Sequence, residues 1–71
     1  MVIKAELAAN VWKVLASEGQ RVQTDETLMI LESMKMEIPV TAPSTGSVKR
    51  IHVKEGDTVQ EGQALAELDY G

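Results

Sequence analysis

Residues 11–32 and 48–69 of this chain repeat each other at a fixed offset of 37, without a gap. Seven of the 22 aligned pairs are identical: Val11/Val48, Glu18/Glu55, Gly19/Gly56, Val22/Val59, Gln23/Gln60, Leu28/Leu65 and Leu31/Leu68. Unrelated segments of average composition would agree at roughly one or two positions. Lys13/Arg50, Val14/Ile51 and Glu32/Asp69 are conservative pairs, and Ala5/Ala42 extends the match upstream. A chain of 71 residues has room for one domain, expected to span residues 1–71, so both copies must share one fold. The repeat therefore calls for a body whose halves are related by an approximate two-fold rotation.

Each copy reads as strand, turn, short strand, turn, strand. Val11–Ala16 and Val48–Val53 are rich in β-formers. Glu18-Gly19-Gln20 and Glu55-Gly56-Asp57 follow as turns in which glycine supplies a positive φ. Val22 and Val59 open short strands and are expected in the core. Thr24-Asp25-Glu26 and Glu61-Gly62-Gln63 form the second turns, and Leu28–Leu31 and Leu65–Leu68 close the copies. Short strands between frequent turn signals indicate an all-β sandwich or barrel. Strict alternation fails at equivalent places, since Val11 and Val14, Val48 and Ile51, Leu28 and Leu31, and Leu65 and Leu68 all stand three apart. A flat strand sends such pairs to opposite faces, whereas a bulge or strong coiling turns both inward.

Composition narrows the function. There is no cysteine, so neither disulfides nor thiolate metal sites support this small core. The only aromatics are Trp12 and Tyr70, so the interior must be aliphatic. A net charge of -4 argues against nucleic acid as a partner. The longest run of large apolar residues, Leu28-Met29-Ile30-Leu31, is too short to span a membrane. The N-terminus lacks the apolar stretch of a signal peptide, and a cytoplasmic location and a monomer in isolation are expected.

One stretch has no counterpart in the repeat: Ser33-Met34-Lys35-Met36, leading into Glu37-Ile38-Pro39-Val40. It joins the two copies, so it should reverse the chain at one end of the molecule. Lys35 is its centre and should point outward, because burying an ammonium is costly. Two methionines beside an exposed lysine suit a surface that another protein must grip, since methionine adapts its shape cheaply.

Glu32-Ser33-Met34-Lys35-Met36 resembles the Met-Lys-Met signature of biotinyl domains, the biotin carriers of acyl-CoA carboxylases, pyruvate carboxylase and related decarboxylases. The resemblance takes in nearly the whole chain, including Ala42-Pro43-x-x-Gly46-x-Val48 and Gly56-Asp57-x-Val59, and is nearest to the single-domain biotin/lipoyl attachment type without a protruding thumb. It departs where Ser33 replaces a frequent alanine, and where Ala9 and Glu6 stand opposite Gly46 and Pro43. The resemblance implies a flattened β-barrel or sandwich (a barrel-sandwich hybrid) of two pseudo-two-fold-related four-stranded halves. It implies that Lys35 receives biotin covalently from a biotin protein ligase, with Met34 and Met36 as the flanking motif and Glu32, Ser33 and Glu37 available for recognition. Biotin carboxylase and carboxyltransferase subunits would be the further partners, and the chain itself would be a carrier rather than an enzyme. Related lipoyl domains usually carry Asp-Lys-Ala at this hairpin, so a lipoyl carrier is the alternative, with an unmodified interaction module behind it.

Other residues read more plainly. Lys4, Lys13, Lys49 and Lys54 lack the hairpin context and are surface lysines. His52, whose repeat partner is Leu15, has no nucleophile or acid constellation around it in sequence and reads as structural or surface. The acids Asp25, Glu26, Glu55, Asp57 and Glu61 lack the spacing of a calcium loop. Trp12 stands opposite Lys49 in the repeat and should be partly exposed.

Overall fold

The computed structural model describes residues 1–70; the Tyr70 side chain and Gly71 lie outside the described residues. Eight strands form and no helix: β1 (Val2–Lys4), β2 (Ala9–Val14), β3 (Arg21–Val22), β4 (Thr27–Ser33), β5 (Met36–Thr41), β6 (Gly46–Ile51), β7 (Thr58–Val59) and β8 (Ala64–Tyr70). The bounds of β2, β3 and β4, displaced by 37, are those of β6, β7 and β8, while β1 falls on the last three residues of β5. The expected strands at Val11–Ala16 and Val48–Val53 start and stop two residues earlier than their sequence reading. The reason lies at their ends: the Leu15 and Ala16 N–H groups both donate to the Leu28 carbonyl, at 2.9 and 3.0 Å, which closes the regular ladder.

The strands form two antiparallel four-stranded sheets, ordered β1-β8-β6-β3 and β5-β4-β2-β7. A 37-residue displacement converts one order into the other, as a two-fold relation requires. Each sheet nevertheless takes two strands from each copy, so a sequence half is not a sheet. The copies are interleaved, and neither can close its sheet alone.

The ladder slips at the places where alternation failed. Between Val11 and Lys13 in β2, and between Val48 and Arg50 in β6, one residue is extra, making Trp12 and Lys49 equivalent bulges. Leu28 and Leu65 are skipped in the same way against β5 and β1. These bulges turn both members of the three-apart leucine pairs inward: Leu28, Leu31, Leu65 and Leu68 are all fully buried.

The interior divides into two clusters. One contains Ala5, Val11, Leu31, Val53, Val59 and Leu65, joined by Ala9, Met29 and Ala66. The other contains Ala42, Val48, Leu68, Ala16, Val22 and Leu28. The second set is the first six displaced by 37 positions in one direction or the other. Each cluster draws on both copies, which ties the halves together.

Turn chemistry is repeated too. Gly19 and Gly56 have φ of 87° and 95°, and Asp25 at φ 69° takes the place that Gly62 holds in the second copy. The Glu18 carboxylate accepts the Ile51 N–H, and the equivalent Glu55 carboxylate accepts the Val14 N–H, each at 3.0 Å. The body measures 35 × 17 × 17 Å. β4 climbs to Ser33 at one end, while its copy β8 runs the opposite way. The Met1 ammonium donates to the Leu68 carbonyl near the end of β8, so both Met1 and Tyr70 lie far from Lys35.

Candidate functional site: the Lys35 hairpin

Strands β4 and β5 pair as Leu31↔Ile38, Glu32↔Glu37 and Ser33↔Met36, leaving Met34 and Lys35 as a two-residue loop. Both have positive φ, 52° at Met34 and 65° at Lys35, the conformation of a type I′ turn. That turn matches the right-handed twist of its strands but favours Asn-Gly, because a Cβ in the left-handed region costs about 1–2 kcal/mol per residue. Here two long side chains occupy it. The inward partners Leu31 and Ile38 anchor its base, Leu31 fully and Ile38 partly buried against the first core cluster.

The loop projects its side chains away from the sandwich. Met34 is 91% exposed and Met36 63%, values that exclude a core role for either. Lys35 is exposed, and no hydrogen bond or ion pair engages its ammonium among the described residues. Ser33 is half-buried, while Glu32 and Glu37 are exposed and stand directly opposite each other across the hairpin. Two like charges in that arrangement cost stability. A two-residue loop sets Glu32 and Glu37 symmetrically about Met34-Lys35, which the sequence spacing encodes once the turn length is known. Beneath them Asn10 pairs with Glu32 from β2, and the Thr58 hydroxyl donates to Asn10 Oδ1 at 3.0 Å, residues that the sequence alone did not single out.

A cleft of about 180 Å³ opens between Ile3–Leu7 and Ile38–Thr41 along the side of the sandwich, and none of residues 32–37 lines it. The hairpin is therefore a projection and not a pocket. It can deliver a lysine amine into another protein's site, and among the described residues no carboxylate pairs with that amine. The remaining lysines lie elsewhere. Lys13 places its ammonium 5.6 Å from the Trp12 ring centre, and Lys49 sits at the β6 bulge. His52 is exposed and makes a 2.7 Å contact with Glu67. No group of three or more His, Cys, Asp or Glu side chains that could hold a metal occurs among the described residues.

A two-fold-related β-sandwich that holds one free lysine on a strained tip hairpin, far from its chain ends, has the architecture of a prosthetic-group carrier domain. The model of the family described as "Biotin-requiring enzyme" matches residues 1–68. A biotin/lipoyl attachment protein of Bacillus subtilis is 46% identical over 68 residues, covering 96% of this chain and 93% of that protein. The pyruvate carboxylase of the same organism is 45% identical over 67 residues, and the chain spans only 6% of its length. Among solved structures, a single-chain, multi-domain long-chain acyl-CoA carboxylase superposes with a TM-score of 0.94 at 31% identity, over all of this chain and 7% of that one. The chain belongs to the biotin/lipoyl attachment family, as a non-catalytic biotin carrier domain of the kind found within carboxylases.

Proposed function

We propose that Lys35 is the residue to which biotin is attached, and that a biotin protein ligase attaches it. The observation that carries this reading is the strained hairpin: the loop that joins the repeats holds Lys35 exposed, between two exposed methionines, at a conformational cost that the fold itself does not require. In the reaction the Lys35 Nζ attacks the acyl carbon of an activated biotinyl-adenylate. The amide C–N bond forms, the acyl–phosphate bond breaks, AMP leaves with the electron pair, and the amine proton passes to a base of the ligase. Loss of the ammonium takes the formal net charge from -4 to -5. Attached biotin carries carboxylate between a carboxylase site and a carboxyltransferase site. The contribution of this chain is placement, since tethering converts two diffusive encounters into local ones at raised effective concentration. Relatives named for biotin and for carboxylases, together with the Met34–Met36 pair, support biotin over lipoate. A cytoplasmic monomer served by separate or fused carboxylase and carboxyltransferase partners completes the proposal.

Incubation with ligase, ATP and biotin, followed by intact mass and peptide mapping, tests it. One biotin on Lys35 and none on Lys35→Ala is expected. Label on Lys49 or Lys54, full labelling of Lys35→Ala, or lipoate in place of biotin after coexpression with both ligases would overturn it.

A further inference from the structure

The pseudo-two-fold relation makes the two sheets equivalent in backbone over β2–β4 and β6–β8, so differences between their outer faces there are differences of side chain. On the β1-β8-β6-β3 face the equivalent positions hold Lys49, Glu67 and His52, and His52 bonds Glu67. On the β5-β4-β2-β7 face the same positions hold Trp12, Ile30 and Leu15. Lys13, Ile30 and Pro39 lie in one cross-strand row, with the Trp12 bulge beside them. Trp12 is 43% and Leu15 54% exposed. At these three positions one face is charged, with His52 and Glu67 paired, and its twin is aromatic and aliphatic, with the Lys13 ammonium 5.6 Å from the Trp12 ring centre. The next row toward the tip holds Asn10, Glu32 and Glu37, so the patch continues through two unpaired carboxylates to Lys35 itself.

We propose that this Trp12-centred face is the surface by which the biotinylated domain docks on a biotin carboxylase, the enzyme that loads carboxylate onto the arm; this rests on Lys35 being the biotin site. Two arguments select that occupant. The first is charge: an enzyme that activates bicarbonate handles an anion and needs a cationic mouth, which complements Glu32 and Glu37 and relieves their mutual repulsion. The second is reach. A ligase must bring the bare Lys35 amine into its site, so it grips the tip, where Met34 and Met36 project. After modification the arm extends well beyond the tip, and the domain can be held along its side while the ring enters the carboxylase. Trp12 then acts as the anchor, because a rigid, half-exposed aromatic beside aliphatic neighbours is the side chain that most often dominates such interfaces.

The repeat supplies variants that the backbone tolerates. Trp12→Lys, Leu15→His and Ile30→Glu each install the residue found at the equivalent position of the other face. With a biotin carboxylase that turns over the biotinylated wild-type domain, Trp12→Lys should raise KM for the domain about tenfold and leave kcat unchanged. The triple variant should raise it further, Lys49→Ala should not change it, and ligase kinetics should stay at wild-type values for all. Unchanged KM in the triple variant, with biotin present by mass, would overturn the docking face while leaving Lys35 as the biotin site. Impaired ligation without a KM effect would assign the face to the ligase instead. A wild-type dimer in sedimentation that the triple variant abolishes would assign it to self-association. Absence of biotin on wild-type Lys35 would remove the underlying assignment.

Discussion

At Met34 and Lys35 the structure departs most from what folding alone would choose. A type I′ turn with Asn-Gly would hold the same strands without two Cβ atoms in the left-handed region. The double variant Met34→Asn/Lys35→Gly should therefore stabilise the domain by about 1 kcal/mol, part of the relief being offset by the added freedom of glycine in the unfolded chain. In a domain of this size that is a rise in Tm of about 4–8 °C, read by thermal melts, with biotin incorporation abolished. Met34→Leu and Met36→Leu should leave Tm unchanged and slow ligation, since neither side chain is in the core. A second local interaction gives a pH signature. The hydrogen bond from His52 holds the Glu67 carboxyl below the usual glutamate range, with charge from His52, Lys49 and Arg50 adding and partial desolvation opposing. A carboxylate with a depressed folded pKa stabilises the fold above its unfolded pKa. That contribution is lost as pH falls through the depressed value. His52→Leu, the residue of the equivalent position, should move the Glu67 NMR titration upward and flatten this part of the acid stability profile. An unmoved titration would mean that the 2.7 Å contact is not made in solution. The exposure of Lys35, Met34 and Trp12 was legible in the sequence from position in or against the repeat. The strain at the hairpin and the His52–Glu67 contact were not. The first depends on a loop length that pairing fixes, and the second on a register between residues 15 apart.

Among the elements, the bulges bring both members of the three-apart leucine pairs into the core. The failure of alternation at Val11/Val14, Leu28/Leu31 and their copies located them in the sequence, because a bulge leaves a signature in spacing. The devices that secure them were not legible. Glu18 and Glu55 reach across to the N–H groups of Ile51 and Val14 in the other copy, and nothing in the local sequence names those partners. The identity of Glu18 and Glu55 in the repeat is explained by this shared task, and both turn acids are part of the backbone accounting. Glu18→Ala and Glu55→Ala should each lower stability by about 1 kcal/mol in urea titrations. Glu18→Gln, which keeps an acceptor oxygen, should be nearly neutral, and the two alanine effects should add in the double variant. A Gln variant as damaging as Ala would show that charge, and not the hydrogen bond, is what the position supplies.

Considered as a whole, the molecule poses the question of whether two symmetric cores behave as one. Sequence periodicity established that there are two copies, but not that the strands would be exchanged between sheets. Strand exchange rests on long-range pairings such as Ala9↔Val59 and Val22↔Gly46, and short strands carry no local signal of their partners. The exchange has an energetic consequence. Val22 belongs to one cluster and Val59 to the other, both fully buried, yet each cluster is built from residues of both copies. Losing one cluster frees strands that wall the other, so unfolding should be a single transition. Val22→Ala and Val59→Ala each remove two buried methyl groups and should cost about 2 kcal/mol, transfer and cavity together. The two variants should melt alike, by far-UV circular dichroism and by Trp12 fluorescence, with the two probes coincident in each. Trp12 follows Val11 of the first cluster in β2, so if the clusters were independent, Val59→Ala would shift the fluorescence transition and Val22→Ala would not. At temperatures where either variant remains folded, Lys35 should be biotinylated at the wild-type rate, because the turn is set by the Glu32↔Glu37 and Ser33↔Met36 pairs and neither valine is in those strands. A slowed ligation below the melting transition would mean that strain at the tip is set by the whole body, and that the two-fold core tunes the presentation of Lys35 as well as supporting it.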